Sequence, residues 1–321
     1  MAVLSVVVGT FDRLDQFRAC VESIFRETRV PVHVWVTDAG STDGTVDYLR
    51  SLDPERVTAV LTGRRLGQAR AYNDVFVQVT TPYVCWLSDD NVVVEGGLDI
   101  AVRVLEAEPR IGMVGLKVRD VRGPFSRAPY IGGISATGIL NVNQGVLRTR
   151  VLTAVGGFSE AFRDYGIDPD LTAKVLFSGH AVAYTRPVAI HHHRNWSADR
   201  ASPEYGRQME RQEAYRALYW QKYGGLVPET LAWRGRRLVW RALRLTVPHL
   251  RDLTSRRRWL GLIPRDWYNI FNARYVSLLD PIHYRGREFH LVQYCPSRHR
   301  PRALPEDPRV GIASDAFTHT P

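Results

Sequence analysis

Residues 83–91 read Tyr83-Val84-Cys85-Trp86-Leu87-Ser88-Asp89-Asp90-Asn91, a continuous apolar run that stops abruptly in a serine, two acids and an amide. A short run that is apolar on both faces fits a strand buried inside a parallel sheet. Ligands of open α/β sheets bind outside the carboxyl ends of such strands, so acids at that end mark the expected active site.

The segments on either side carry the same alternation. Leu4 to Val8 is a β-branched run, and Asp12 is placed to cap a helix bearing Leu14, Phe17, Val21, Ile24 and Phe25. Val32 to Thr37 is a second strand, followed by the polar turn Asp38-Ala39-Gly40-Ser41-Thr42-Asp43-Gly44 and a short helix to Arg50. Val57 to Thr62 leads through Gly63 into a helix with Ala69, Tyr72, Val75, Phe76 and Val79. After Gly96-Gly97, a helix carries Leu98, Val102 and Leu105, and Ile111 to Val118 is a further strand. Strands alternating with helices predict an α/β layer around a mostly parallel sheet. Arg119 to Gly138, rich in Gly, Pro and Arg, is expected to loop over the site.

Composition narrows the class. The chain has 321 residues, 45% hydrophobic and 24% charged, which excludes disordered, collagenous and disulfide-scaffold proteins. Its three cysteines, Cys20, Cys85 and Cys295, lack metal-ligand spacing and fit a reducing compartment. The N-terminus shows no secretory pattern, and no run reaches the roughly 18 apolar residues of a spanning helix. The cytoplasm, or the inner face of the membrane, is the expected location.

The formal charge is 43 − 33 = +10, and it is unevenly spread. Residues 1–225 hold 26 basic and 25 acidic side chains, whereas 226–321 hold 17 Arg, no Lys and 8 acids. The division predicts a catalytic domain over 1–225 and a basic, largely helical extension over 226–321, loosely ordered from about Pro296. Trp233 to Leu250 mixes arginine with Trp240 and aliphatic residues at helical spacing, and Pro248 should end or kink that helix. Such a stretch suits peripheral contact with an anionic bilayer. Equally, it can pack on its own catalytic domain or on another subunit, as a homo-oligomer, with arginine stems covering apolar surface. Arg256-Arg257-Arg258 has no nucleic-acid-binding motif beside it, so a nucleic-acid partner is not expected.

Several residues can carry chemistry. Asp89 and Asp90 would repel at the end of a buried strand unless something positive sits between or beside them. Mg²⁺ or Mn²⁺ bridging to substrate phosphates would answer that need, and so would a turn that the two acids merely cap. Asp38, after a β-branched strand, can accept from a nucleobase or ribose, or simply close an Asx turn. In Gly166-Ile167-Asp168-Pro169-Asp170, Asp170 reads as a helix N-cap, while Asp168, just outside the helix start, is a candidate general base. His191-His192-His193 follows the strand-like Val188 to Ile190, so His191 and His193 should share one face and His192 the other. One of them could complete a metal shell, or all three could be a solvated strand end.

Taken in order, the motifs resemble glycosyltransferase family 2, the inverting nucleotide-sugar enzymes with the GT-A fold. The matching stretches are Val6 to Arg13, Val36 to Thr45, Leu66-Gly67-Gln68-Ala69-Arg70-Ala71-Tyr72-Asn73, Leu87-Ser88-Asp89-Asp90, and Gly156 to Glu160 through Tyr165 to Leu171. Tyr219-Trp220-Gln221-Lys222-Tyr223-Gly224 is a further echo. The resemblance implies that Thr10, Asp12 and Asp38 line the nucleotide pocket, with Asp38 on the base. It implies that Asp89 and Asp90 form the metal-diphosphate motif, with Asp90 the direct ligand, that Asp168 is the catalytic base, and that His191 supports the metal. Arg64-Arg65, just before the third motif, can hold the donor diphosphate or belong to a solvated loop, and Arg70 within that motif is a further candidate donor contact.

Two departures stand out: Ile167 where the family usually has an acid before the base, and Ser88 where many members have another acid. The implied activity is transfer from a nucleotide-diphosphate sugar to a saccharide or lipid-linked acceptor, in bacterial polysaccharide or glycolipid assembly. A nucleotidyltransferase would need a basic, glycine-rich phosphate loop that Gly9-Thr10-Phe11-Asp12-Arg13 does not supply. The remaining alternative is a non-catalytic nucleotide-sugar or membrane-associated assembly protein.

Overall fold

The computed structural model describes residues 1–122, 139, 141–194, 201–226, 235, 238 and 289–294. Its elements follow in chain order as β1 (Leu4–Thr10), α1 (Leu14–Glu27), β2 (Val32–Asp38), α2 (Thr45–Ser51), β3 (Val57–Leu61), α3 (Gln68–Phe76), β4 (Tyr83–Ser88) and β5 (Asn91–Val93). They continue as α4 (Gly97–Ala107), β6 (Ile111–Asp120), β7 (Gly145–Arg148), α5 (Thr149–Ala154), α6 (Ile167–Phe177), β8 (Ala181–His192), α7 (Pro203–Tyr223) and β9 (Phe289–Gln293).

One sheet takes all the described strands, in the order β3-β2-β1-β4-β7-β6-β8-β5, with β9 also pairing with β8. The half from β3 to β4 is parallel throughout. β7 then enters antiparallel between β4 and β6, and β6 and β8 are parallel to each other. The expected mostly parallel α/β layer is thus a mixed sheet flanked by helices. Along its length β8 changes its outer neighbour, from β9 at Val182–Thr185 to β5 at Ile190–His192.

Period-two alternation sorts the strand residues between two cores. Val7, Val84 and Trp86 face a cluster with Tyr72 and Phe76 of α3, Leu171 of α6 and Tyr219 of α7. Leu4, Val6, Val8, Cys85 and Leu87 face Phe17, Val21 and Ile24 of α1 and Leu98 and Leu105 of α4. Burying both faces explains why β4 reads as uninterrupted apolar sequence. In register, Thr10 lies opposite Asp38 and Gly9 opposite Ser88, which brings the carboxyl ends of β1, β2 and β4 to one rim.

The strand over 111–118 extends to Asp120, and the remainder of the expected loop, 123–138, lies outside the described residues. So do most of 227–321, the arginine-tryptophan stretch Trp233 to Leu250 and the tail from Pro296. β9 is drawn from that C-terminal region, with Val292 and Gln293 fully buried against the sheet. No helix among the described residues is long and apolar enough to cross a membrane.

Candidate active site

At the rim, the hydroxyl of Thr10 donates to Asp89 Oδ2 at 3.0 Å, and Arg13 Nη1 donates to Asp89 Oδ1 at 3.1 Å. The same Arg13 nitrogen stands 3.6 Å from Asp90 Oδ2, so one guanidinium spans both carboxylates. Burial pushes the Asp89 carboxyl up to about 6, with Asp90 adding repulsion, while Arg13 and the hydrogen bonds from Thr10 and Arg13 pull it back.

His192, not His191, is the histidine that reaches this centre. Its Nε2 lies 3.4 Å from Asp90 Oδ2, and its Nδ1 is 2.9 Å from Asp120 Oδ1. Asp120 is fully buried, with Arg194 Nε 3.6 Å from its other oxygen. Burial disfavours the imidazolium, but the hydrogen bonds and charges of Asp120 and Asp90 outweigh it and raise His192 to about 9. The reason lies in the strand: β8 runs through His192, so alternate side chains face opposite ways and His191 is turned from Asp90. Burial, with Arg119 and His193 nearby, lowers His191 instead.

Asp38 is buried and closes its own turn, accepting from the backbone N–H groups of Gly40 and Ser41 and from the Ser41 hydroxyl. It therefore holds the Asx-turn geometry while standing opposite Thr10 at the rim of the sheet. Asp12 does not cap α1. It adopts φ 47°, and its carboxylate accepts from the Thr42 N–H at 2.7 Å. The N–H of Leu14, the first residue of α1, is satisfied by Asp43 Oδ2 at 2.8 Å, an acceptor from the neighbouring loop that local sequence cannot supply.

The arginines are less concentrated. Arg64 is exposed just past β3, and Arg65 stacks its guanidinium 3.9 Å from the centre of the Phe11 ring. Arg70, on α3, faces Asp74 at 3.4 Å and Glu160 at 3.9 Å.

Asp168 lies inside α6, as its second residue, and not ahead of the helix. Gly166 precedes it in a left-handed conformation (φ 81°), where a Cβ would meet Phe162 at 2.8 Å. The Asp168 carboxylate accepts from the indole N–H of Trp86 at 3.3 Å. Burial pushes it up to about 8, offset only in part by that hydrogen bond. Asp170 is no N-cap either. It is fully buried and binds Lys222, Tyr223 and Ser159, which ties α6 to α7.

Among the described residues, no three His, Cys, Asp or Glu side chains form a ready metal cage. The donors fit Mg²⁺ or Mn²⁺ in the manner of a two-carboxylate site completed by substrate phosphates, with Asp89 and Asp90 as ligands and His192 beside them. That fit requires Arg13 to yield its place. Arg13, Asp120 and Trp86 were not singled out by sequence reasoning, and of the three candidate histidines it favoured His191 over His192. The argument that two buried acids need a positive neighbour could have singled out Arg13, since it sits in the first motif.

The family model "Glycosyl transferase family 2" matches residues 5–166, half of the chain. A decaprenol-linked sugar enzyme of Mycobacterium tuberculosis, N-acetylglucosaminyl-diphospho-decaprenol L-rhamnosyltransferase, is 26% identical over 251 residues, covering 62% of this chain and 78% of its own. An uncharacterized protein of Sinorhizobium fredii is 23% identical over 252 residues, covering 69% of this chain, which spans only 28% of that relative's length. Among solved structures, a mannosyltransferase of Pyrobaculum calidifontis in complex with GDP-Man and Mn²⁺ has a TM-score of 0.48 at 19% identity, covering 85% of this chain and 87% of its own. With the family model running from β1 to the residue before α6, the chain belongs to glycosyl transferase family 2.

Proposed function

We propose that this chain is an inverting glycosyltransferase, moving a sugar from a nucleoside-diphosphate sugar to an acceptor hydroxyl with Asp168 as the base. The observation that carries the reading is the Asp168 carboxylate, pushed up to about 8 and held by Trp86, whose strand ends two residues later at Ser88, just before Asp89 and Asp90. A base titrating near the working pH combines a useful ionised fraction with a real driving force for proton transfer. The Trp86 N–H engages Oδ1 and so leaves Oδ2 to meet the acceptor.

In the step itself, the acceptor O–H proton passes to the Asp168 carboxylate as the acceptor oxygen bonds to the anomeric carbon. The bond from that carbon to the diphosphate oxygen breaks on the opposite face. A single displacement inverts configuration. Thr10 and Asp38 are the proposed nucleoside contacts, and the exposed Arg64 and Arg70 the proposed contacts to the donor diphosphate. A divalent ion on Asp89 and Asp90 would supply Lewis-acid stabilisation of the leaving diphosphate. His192 replaces His191 as the imidazole beside that centre.

A lipid-linked saccharide is the proposed acceptor class, supported by the decaprenol relative at 26% identity. The arginine-rich 226–321 region would then lie at the anionic membrane face. The test is a panel of nucleotide sugars with Mn²⁺ and polyprenyl-diphospho-saccharide acceptors, read as nucleoside diphosphate released and anomeric configuration of the product. Inverted product from the parental chain, lost in Asp168→Asn, is the expected result. Retained configuration, or undiminished transfer by Asp168→Asn, would sink the reading.

A further inference from the structure

We propose that Arg13 is the resident cation of the Asp89–Asp90 pair, one that a divalent ion must displace, so that ion and diphosphate enter the site together. The inference rests on the nucleotide-sugar reading above. It starts from geometry: one guanidinium nitrogen is 3.1 Å from Asp89 and 3.6 Å from Asp90, where it occupies the space between two carboxylates that a bridging metal ion would need.

The surrounding backbone sets that position. Asp12 sits at φ 47°, in the left-handed region that side chains other than glycine seldom adopt. The conformation is held by the Thr42 N–H on Asp12 Oδ1, by the Asp12 N–H on the Ser41 hydroxyl at 2.9 Å, and by Asp43 on Leu14. Three ties to the β2–α2 loop thus fix the turn from which Arg13 projects. Strain maintained by its surroundings in this way is characteristic of functional turns.

The arginine is the solvent-accessible partner of the three. Arg13 is 40% exposed, against 7% for Asp89 and 12% for Asp90. The acids are the more enclosed partners, and the arginine is the one an incoming ligand reaches from solvent. An incoming metal ion alone must expel a guanidinium that has no better anion to meet. A diphosphate supplies that anion, because the planar guanidinium fork matches phosphate oxygens and pairs with them strongly. The swap therefore makes the affinities for metal ion and diphosphate depend on each other, a reciprocal coupling that binding can measure.

The experiment uses the full chain and three probes: Mn²⁺ alone, followed by electron paramagnetic resonance of the free ion, and pyrophosphate and preformed Mn²⁺–pyrophosphate, followed by calorimetry. In Arg13→Gln, Mn²⁺ alone should bind about fivefold tighter or more, while pyrophosphate and its Mn²⁺ complex bind more weakly. Opposite shifts cannot come from general damage to the fold, which would weaken all three. Arg13→Lys, keeping the charge, should bind Mn²⁺ alone as the parent does. Unchanged or weaker Mn²⁺ binding by Arg13→Gln, with the complex still bound, overturns the displacement and leaves the metal reading standing. Absence of binding by Mn²⁺ and by the complex in parent and variant alike overturns both.

Discussion

Trp86 Nε1 donates to Asp168 Oδ1 at 3.3 Å across 82 positions of sequence, and the same N–H points to the Asn143 carbonyl at 3.0 Å. The contact joins the strand that carries the acid pair to the helix that carries the proposed base. Among the described residues, that shared N–H is the one donor to the Asp168 carboxylate. Removing the charge at Asp168 while keeping its shape should therefore isolate its chemical role. Asp168→Asn is expected to lower kcat by about 10²–10⁴, the usual range for a positioned base, with donor affinity unchanged. Steady-state rates beside equilibrium binding of the donor check this.

The raised pKa gives two linked pH effects. As a base, Asp168 must lose its proton, so kcat/KM should rise with pH through about 8 before levelling. For stability the sign is the reverse. Between the ordinary carboxylate range and about 8, the folded chain keeps a proton that the unfolded chain has released. Stability therefore falls as pH rises through that window. Asp168→Asn removes this penalty, so it should raise the unfolding temperature more at pH 9 than at pH 4. Equal effects at the two pH values would count against a carboxyl held protonated by burial.

Trp86→Phe tests the hydrogen bond directly. The indole N–H favours the ionised carboxylate, so its loss should move the rise of kcat/KM to higher pH. The rate deficit should be largest near pH 7 and shrink as pH increases. A uniform deficit across the profile would mean that Trp86 only packs.

Residues 1–120 were largely legible because each strand and helix there declares itself locally. Tyr83–Leu87 is apolar on both faces, α3 buries Ala69, Tyr72, Val75 and Phe76 as its spacing predicts, and α1 buries Phe17, Val21 and Ile24 of its expected face while Leu14 and Phe25 stay half-exposed. The errors arise where a distant partner decides. Asp43 took the end of α1 from Asp12, and Lys222 with Tyr223 took Asp170 from the cap of its helix. Alternation had put His191 and His192 on opposite faces, but which face meets the acid pair is set by the pairing of β8 with β5, which the resemblance that pointed to His191 does not fix. Arg13 and Asp120 meet their partners 76 and 72 residues away, a proximity that spacing does not encode.

The final prediction concerns the join between α6 and α7, which holds the helix of Asp168. Lys222 Nζ lies 2.9 Å from Asp170 Oδ1 with both side chains wholly buried, and it donates to Ser159 at 2.9 Å. The Tyr223 hydroxyl donates to the same Asp170 oxygen at 2.7 Å, and Lys174 stands 3.9 Å from the other. Desolvation makes such a network worth little against an apolar replacement, but removing one ion leaves its partner buried and uncompensated. Lys222→Met should therefore cost about 3–5 kcal/mol, and on the order of 10 °C in unfolding temperature. Asp170→Asn should also destabilise, by stranding Lys222. Combining the two removes both charges, so the double variant should lose clearly less than the sum of the singles. Thermal unfolding of the three variants decides it: strictly additive losses would mean that the buried charges do not depend on each other.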